Sequence, residues 1–300
     1  MRIAGAPVSF GVFELEPEEG AVLPGPDDIA AALHDTGYRG IDLGPVGFLG
    51  RGAELQDRLR RYELSLVGGW VDLPFHDDAA FAASLPALAE ALDNFIEGAA
   101  VDPQHLPLPT LAASATPDRQ ARPGGGDGLS LDEAGWTTFA ANVQRAAALV
   151  RERGLEPTFH HHTSTYVETP AEIDEFLART DVGLTLDTGH LIIGGGDPIE
   201  GLTRWSDRIN HVHLKDARTD RLREILAAGG GMREVWSGEA FVALGAGDLD
   251  LEAVMEHLTS TGFDGWLVIE QDVIPRPGDT IDRAIANQRI NREALRKWLP

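Results

Sequence analysis

The chain contains no cysteine, which excludes disulfides, thiolate metal sites and cysteine nucleophiles together, and with them a secreted disulfide scaffold. Positive charge is also scarce. Lys and Arg number 25 against 48 Asp and Glu, the net charge is −23, and the only lysines are Lys215 and Lys297. A nucleic-acid backbone or an anionic membrane requires a basic surface, so neither is expected as a partner. No apolar run approaches the ~18 residues of a membrane span. The first residues show no basic region followed by an apolar one, so the expected location is the cytoplasm. What is present is a hydrophobic content of 43% with 24% charged residues, enough apolar material for a sizeable core.

At 300 residues and 32.3 kDa the chain suits one α/β barrel, read as a single domain over residues 1–300. Short apolar, β-branched runs alternate with longer amphipathic stretches. The runs predict strands at Arg2–Phe10, Gly40–Leu43, Ser65–Val71, Pro107–Ala113, Glu156–His162, Val182–Asp187, Ile209–Lys215 and Gly265–Gln271. Between them, Phe139, Val143, Ala146, Ala147 and Val150 form one stripe of a helix over Glu133–Arg153. Thr169-Pro170-Ala171-Glu172 reads as a helix start, with a cap followed by a first-turn proline. Leu251, Val254, Met255 and Leu258 mark another helix within Asp250–Thr261. Eight strands alternating with helices predict a closed (β/α)8 TIM barrel. The competitor is a doubly wound open sheet, but no Gly-x-Gly-x-x-Gly turn follows the first strand.

Three stretches look irregular. Pro117–Ser130, with the run Gly124-Gly125-Gly126-Asp127-Gly128, reads as a mobile surface excursion after strand four, and Gly194-Gly195-Gly196-Asp197 follows strand six. The third, Ala227–Trp236, belongs to an unusually long connection. His160 to Asp187 and Asp187 to His213 are 27 and 26 residues apart, whereas His213 to Glu270 is 57. One βα unit has gained an insertion, expected among the extended loops at the C-terminal face, where such barrels place their active sites.

Barrel strands are buried on both faces and should end as they run, apolar. Four late strands end instead in His160-His161-His162, Asp187-Thr188-Gly189-His190, His211-Val212-His213-Leu214-Lys215 and Glu270-Gln271-Asp272. Alternation places His160 and His162 on one face, and groups His211, His213 and Lys215. Each residue has a plainer role when taken alone. His161 and His211 read as hydrogen-bonded structural residues, Asp187 as a helix cap, Glu270 as half of an ion pair, and Lys215-Asp216 as a solvated turn. Together, imidazoles and carboxylates from four consecutive strand ends suit a divalent cation such as Mn²⁺, Co²⁺, Mg²⁺ or Zn²⁺. Unpaired burial of such groups would cost several kcal/mol each without one. Trp70, near the end of strand three, fits either a pocket wall that stacks on a sugar face or ordinary core.

These strand ends, with Gly37 to Pro45, Phe241 to Asp250 and Gly265 to Glu270, resemble the xylose-isomerase-like TIM-barrel superfamily of sugar isomerases and epimerases. Within it the chain looks most like the inosose (2-keto-myo-inositol) dehydratases, over essentially its whole length. The resemblance implies a metal held by Asp187, His213 and Glu270, with His160 at the place where the family commonly has a Glu, and His162 as the alternative. It implies that His190 contacts substrate, with His162 and Arg218 as further candidates, and that Mn²⁺ or Co²⁺ is the expected metal. Departures at Thr163-Ser164-Thr165-Tyr166 and at Gln271-Asp272 fall where the pocket rim is expected. Homo-oligomers are common in the family, though no feature of this sequence marks an interface.

The expected chemistry is removal of a proton α to a carbonyl, with the metal holding the enediolate. Glu270 and His190 are candidate bases, and His160, His190 or Lys215 candidate acids. Loss of the β-hydroxyl gives a dehydratase; return of the proton gives an aldose–ketose isomerase or epimerase. An endonuclease for abasic DNA on the same barrel is disfavoured by the charge of −23, and a catalytically silent polyol-binding barrel is the remaining reading. The negative charge favours a neutral polyol or sugar over a phosphate, unless Arg51 or Arg218 reverses the field locally.

Overall fold

The computed structural model describes residues 1–13, 17–125 and 128–299. Gly126 and Asp127, within the glycine-rich run singled out above, lie outside the described residues. Eight parallel strands close into a barrel: β1 (Arg2–Gly5), β2 (Gly40–Asp42), β3 (Ser65–Leu73), β4 (Leu108–Ala113), β5 (Thr158–His160), β6 (Gly183–Asp187), β7 (Ile209–Leu214) and β8 (Trp266–Ile269). Each strand pairs with its sequence neighbours, and Arg2↔Trp266 through Gly5↔Ile269 completes the ring. Helices follow the strands and pack around the barrel, so this is the (β/α)8 architecture predicted from the alternation of runs. No helix among the described residues is long and apolar enough to cross a membrane.

The predicted helices form where the cap at Thr169 and the apolar stripes placed them. Thr169 and Glu172 make a reciprocal capping box at the start of Pro170–Arg179, and Asp250 caps Leu251–Ser260. Phe139, Val143, Ala146, Ala147 and Val150 are all buried on one face of Glu133–Glu152.

Strand ends are where prediction and structure part. The first strand stops at Gly5 because Pro7 lacks an N–H and begins a 3₁₀ turn over Pro7–Phe10. The fifth stops at His160, not His162, because the chain turns: His162 N donates to Val167 O, and Ser164 adopts φ 74°. His160 and His162 therefore do not share a strand face. The segment from Pro117 is anchored rather than loose at its start, with Arg119 buried between Glu168 and Glu172. The Lys215-Asp216 turn is also buried, not solvated.

The long connection after β7 is a subdomain-like decoration of the barrel mouth. Asp216–Ala217 pairs antiparallel with Phe241–Val242, and helices Thr219–Ala227 and Met232–Ser237 lie between. Leu222, Ile225, Met232, Val235 and Phe241 give it a small core of its own. Asp216 ties down the return: its carboxylate accepts from Gly245 N, Gly247 N and Leu249 N at 2.8, 2.9 and 3.0 Å. A side chain at Gly247 would collide with that carboxylate, since a Cβ there would come 2.3 Å from Asp216 Oδ1.

Candidate metal centre

The barrel register brings the late strand ends together. Asp187 on β6 pairs with His213 on β7, and His160 on β5 lies opposite Thr185, two residues before Asp187. Glu270 follows β8, its N–H donating to Leu214 O on β7. One ligand-type atom from each of His160, Asp187, His213 and Glu270 lies within 4.8 Å of all the others. Asp187 Oδ2 is 3.5 Å from His160 Nε2 and 3.7 Å from His213 Nδ1, and His213 Nδ1 is 3.1 Å from Glu270 Oε2.

Asp187 divides its carboxylate between two tasks. Oδ1 caps the short helix Thr188–Ile193 by accepting from His190 N at 2.9 Å, the role a lone Asp would have. Oδ2 is buried with no hydrogen-bond partner, and the same holds for both ring nitrogens of His213. Buried polar atoms are normally satisfied. Orphaned atoms converging from two strands, with imidazole and carboxylate chemistry, fit a divalent cation. His160 contributes Nε2 because its Nδ1 is turned to the His161 carbonyl.

A second constellation adjoins the first. His162, His190 and Asp272 also bring ligand-type atoms within 4.8 Å of one another. Lys215 Nζ stands between the two groups, 3.2 Å from Asp187 Oδ2, 3.0 Å from Glu270 Oε2, 2.8 Å from Asp272 Oδ1 and 2.9 Å from His190 Nε2. His190 Nδ1 meets Thr163 Oγ1 at 2.9 Å.

The electrostatics follow from burial and this crowding. Burial depresses His160, His162 and His190, with Lys215 adding to the effect on His190, so these imidazoles are neutral. Burial would also depress His213, but Glu270, Asp187 and Asp42 outweigh it and raise it to about 10. Burial opposes the charge on Lys215, yet Asp187, Asp272 and Glu270 raise it above its ordinary value. Asp187 and Glu270 are pulled below the carboxylate range against burial, by Lys215 above all for the first and by His213 and Lys215 for the second.

A cavity of about 240 Å³ opens over the centre. His160, His162, His213, Lys215, Glu270 and Asp272 reach it, and Trp70 walls it, edge-on to His160 and His162 at centroid distances of 5.5 and 4.9 Å. Trp236, from the inserted segment, lines it as well.

Several sequence expectations are corrected here. His190 is fully buried behind His162 and Lys215 and is not among the cavity-lining residues. Arg218 is outside the lining too, its guanidinium paired with Asp220 at 2.8 Å, and Arg51 pairs with Glu90. Asp272, expected at the rim, is buried at the heart of the site. His161 keeps its structural role, accepting from Asp187 N at 3.1 Å.

Two lining carboxylates escaped the sequence reading. Asp42 ends β2 and is buried, and burial raises it to about 7, with His213 opposing and Glu270 adding. Asp72 is the other, on β3. The available signal was a carboxylate interrupting an apolar strand, Gly40-Ile41-Asp42, the same signal that exposed the later strand ends.

A model of the xylose isomerase-like TIM barrel family matches residues 30–296, and the chain belongs to that family. The rhizopine catabolism protein MocC of Rhizobium meliloti is 30% identical over 92% of this chain and 82% of its own length. An inosose dehydratase of Clostridium perfringens is 34% identical over 54% of this chain and 56% of that relative. The chain thus spans about half the length of the inosose dehydratases it matches. Among solved structures, a probable 3-DHS dehydratase, AsbF, of Bacillus anthracis superposes with a TM-score of 0.69 at 13% identity, covering 100% of both chains. The IOLI protein with a bound zinc atom gives 0.67 at 15% identity, covering 100% of this chain and 99% of that one. These two likenesses concern the fold alone.

Proposed function

We propose that the chain is a divalent-metal-dependent lyase that dehydrates a neutral keto-polyol, with 2-keto-myo-inositol the first substrate to test. The observation that carries this reading is the convergence of His160, Asp187, His213 and Glu270 beneath an open cavity, with Asp187 Oδ2 and the His213 ring left without hydrogen bonds. The inosose dehydratase relatives support the choice of substrate. Those four residues would hold the ion, with Mn²⁺ or Co²⁺ tried first. When bound, a divalent cation supplies Lewis-acid polarisation of a carbonyl and its neighbouring hydroxyl.

The chain's own residues account for the rest. Glu270 is the carboxylate of the centre that reaches the cavity, whereas Asp187 is sealed below it, so removal of the α-proton is assigned to Glu270. Lys215, held charged by three carboxylates, presents an ammonium that protonates the departing β-hydroxyl, which leaves as water, and Glu270, 3.0 Å away, passes the α-proton back to it. His190 acts from behind, fixing Lys215 through Nε2. Trp70 offers an apolar wall to a sugar ring. Among the described residues, the lining carries Asp42, Asp72, Glu270 and Asp272 against Lys215 and the raised His213, and includes no arginine. With no arginine fork to receive a phosphate or carboxylate, the lining suits a neutral polyol.

The test is incubation of metal-reconstituted protein with 2-keto-myo-inositol, followed by mass spectrometry of the products in D₂O. A dehydrated dione is the expected product. Deuterium entering recovered substrate or an isomer without loss of water would move the reading to an isomerase or epimerase. No exchange and no dehydration from the metal-loaded protein would overturn both.

A further inference from the structure

The second constellation has the composition of a cation site, and it already contains a cation. His162, His190 and Asp272 surround a region into which Lys215 Nζ projects, 2.8 Å from Asp272 Oδ1 and 2.9 Å from His190 Nε2. The imidazole lone pair that a metal would use is the one that meets the ammonium. An ammonium can only donate, so His190 Nε2 accepts from Lys215, and in the neutral tautomer that allows this Nδ1 carries the proton toward Thr163 Oγ1.

Lys215 is built into this position from several sides. Thr188 Oγ1 donates to Lys215 O at 2.7 Å and accepts from Lys215 N at 3.0 Å, clamping the backbone. Gly189 makes room for the aliphatic stem, because a Cβ there would come 2.6 Å from Lys215 Cγ. The ring of Phe241, brought in by the inserted segment, lies with its centroid 5.3 Å from Nζ. The chain otherwise uses arginine almost throughout, and Lys215 is one of two lysines. A compact ammonium with three donors fits where a planar guanidinium fork would not.

The ammonium has more acceptors than protons. Three N–H groups face Asp187, Glu270, Asp272 and His190, all within 3.2 Å. Asp187 and Glu270 would be drawn to a divalent ion held between them, and Nζ would lose these two contacts. Asp272 and His190 then remain as its partners.

We infer that Lys215 is a built-in second cation: it fills the His162–His190–Asp272 constellation, so that this centre takes one divalent ion where its ligand-type residues could hold two. The inference rests on the metal reading of the first cluster. It assigns His162, His190 and Asp272 the task of seating an ammonium beside the ion, rather than ligating a second one.

The experiment is metal stoichiometry on chelator-stripped, refilled protein, using Mn²⁺ and Zn²⁺ separately, by elemental analysis and calorimetric titration. Wild type is expected to bind about one ion per chain, Lys215→Met about two, and Lys215→Met/Asp272→Asn about one again. Electron paramagnetic resonance of the Mn²⁺ forms should change from an isolated ion to a coupled pair only in Lys215→Met. One ion in Lys215→Met, with folding verified by circular dichroism, would overturn the inference and leave the first site standing. Two tightly held ions in the wild type would also overturn it, and that measurement needs no variant. No ion in any of the proteins would remove the metal reading and the inference with it. Should Lys215→Met fail to fold, Lys215→Gln carries the same expectation of two.

Discussion

Two clusters of buried ionisable groups, one built on the segment that follows β5 and the other on the ends of β5 to β8, are finished to different degrees. In one, Arg119 lies between Glu168 and Glu172, with Nη1 3.3 Å from each carboxylate and Nη2 2.5 Å from Glu172. The remaining acceptor capacity is filled: Glu168 accepts from Gly124 N and Ser164 N, and Glu172 from Ser130 Oγ, Glu168 N and Thr169 N. Apart from Arg119 Nε, every charged atom there has a partner. In the other, Asp187 Oδ2 and both nitrogens of His213 make no hydrogen bond, and only charged neighbours stand near them, Lys215 Nζ 3.2 Å from Asp187 Oδ2 and Glu270 Oε2 3.1 Å from His213 Nδ1. A satisfied cluster is complete as folded and holds a loop in place. An unsatisfied one of equal burial is arranged for something that arrives later.

The comparison breaks most sharply at Asp187. Asp187→Asn retains a side chain able to cap Thr188–Ile193 but loses the charge, and Asp187→Ala loses both. Both variants should lose bound metal by elemental analysis. Turnover of the keto-polyol should fall by more than the ~10–100-fold typical of residues that only support a ligand. Asp187→Ala should in addition be about 1 kcal/mol less stable than Asp187→Asn. Retained metal in Asp187→Asn would show that Asp187 is no more than a cap.

At the finished cluster the effect should fall on stability instead. Arg119→Met leaves two buried carboxylates without their cation and should cost about 3–5 kcal/mol in urea denaturation. The folded variant should keep a wild-type metal content. Loss of metal at unchanged stability would reverse the roles given to the two clusters.

Acid sharpens the contrast with a smaller effect. Glu172 is lowered below its ordinary value of 4.5, burial being outweighed by Arg119, Ser130 and Thr169. A depressed carboxylate stabilises the fold above its unfolded pKa, and that contribution disappears as pH falls through the folded value. Glu168 is raised by burial, despite Gly124, Ser164 and Arg119, and works with the opposite sign. Denaturation midpoints followed from about pH 6 to about pH 3 should therefore decline less steeply in Glu172→Gln than in wild type, and more steeply in Glu168→Gln. Parallel slopes in all three proteins would count against the assignment.

The smallest effect belongs to Arg218. Its guanidinium is engaged with Asp220 away from the cavity, so Arg218→Ala should alter KM by less than about twofold. A large rise in KM would bring Arg218 back to the substrate.

Much of this was written in local pattern. Apolar runs marked eight strands, Thr169-Pro170 marked a helix start, the stripe from Leu251 to Leu258 marked another helix, and the gap from His213 to Glu270 revealed the insertion, because each depends only on neighbours along the chain. Asp187, His213 and Glu270 stood out because a charge at the end of a buried strand must be compensated. His190 was misplaced, and His162 was grouped with His160 alone, for a reason that is not local. Alternation assigns a face only while the strand lasts, and β5 ends at His160, where a turn through Ser164 at positive φ swings His162 toward His190. Asp42 was passed over because β2 lies on the far side of the sequence from the late strands, and only closure of the sheet brings it to the same cavity.

The amino-acid order by itself thus determined the barrel, the strand ends that carry ligand-type residues and the absence of thiol chemistry, since periodicity, caps and composition act through adjacent residues. Tertiary structure alone decided which histidine joins which cluster, that Lys215 rather than solvent meets four acceptors, and that the arginines stay outside the cavity. Those outcomes depend on register and tilt around a closed ring, where a shift of one residue moves a side chain to the other face.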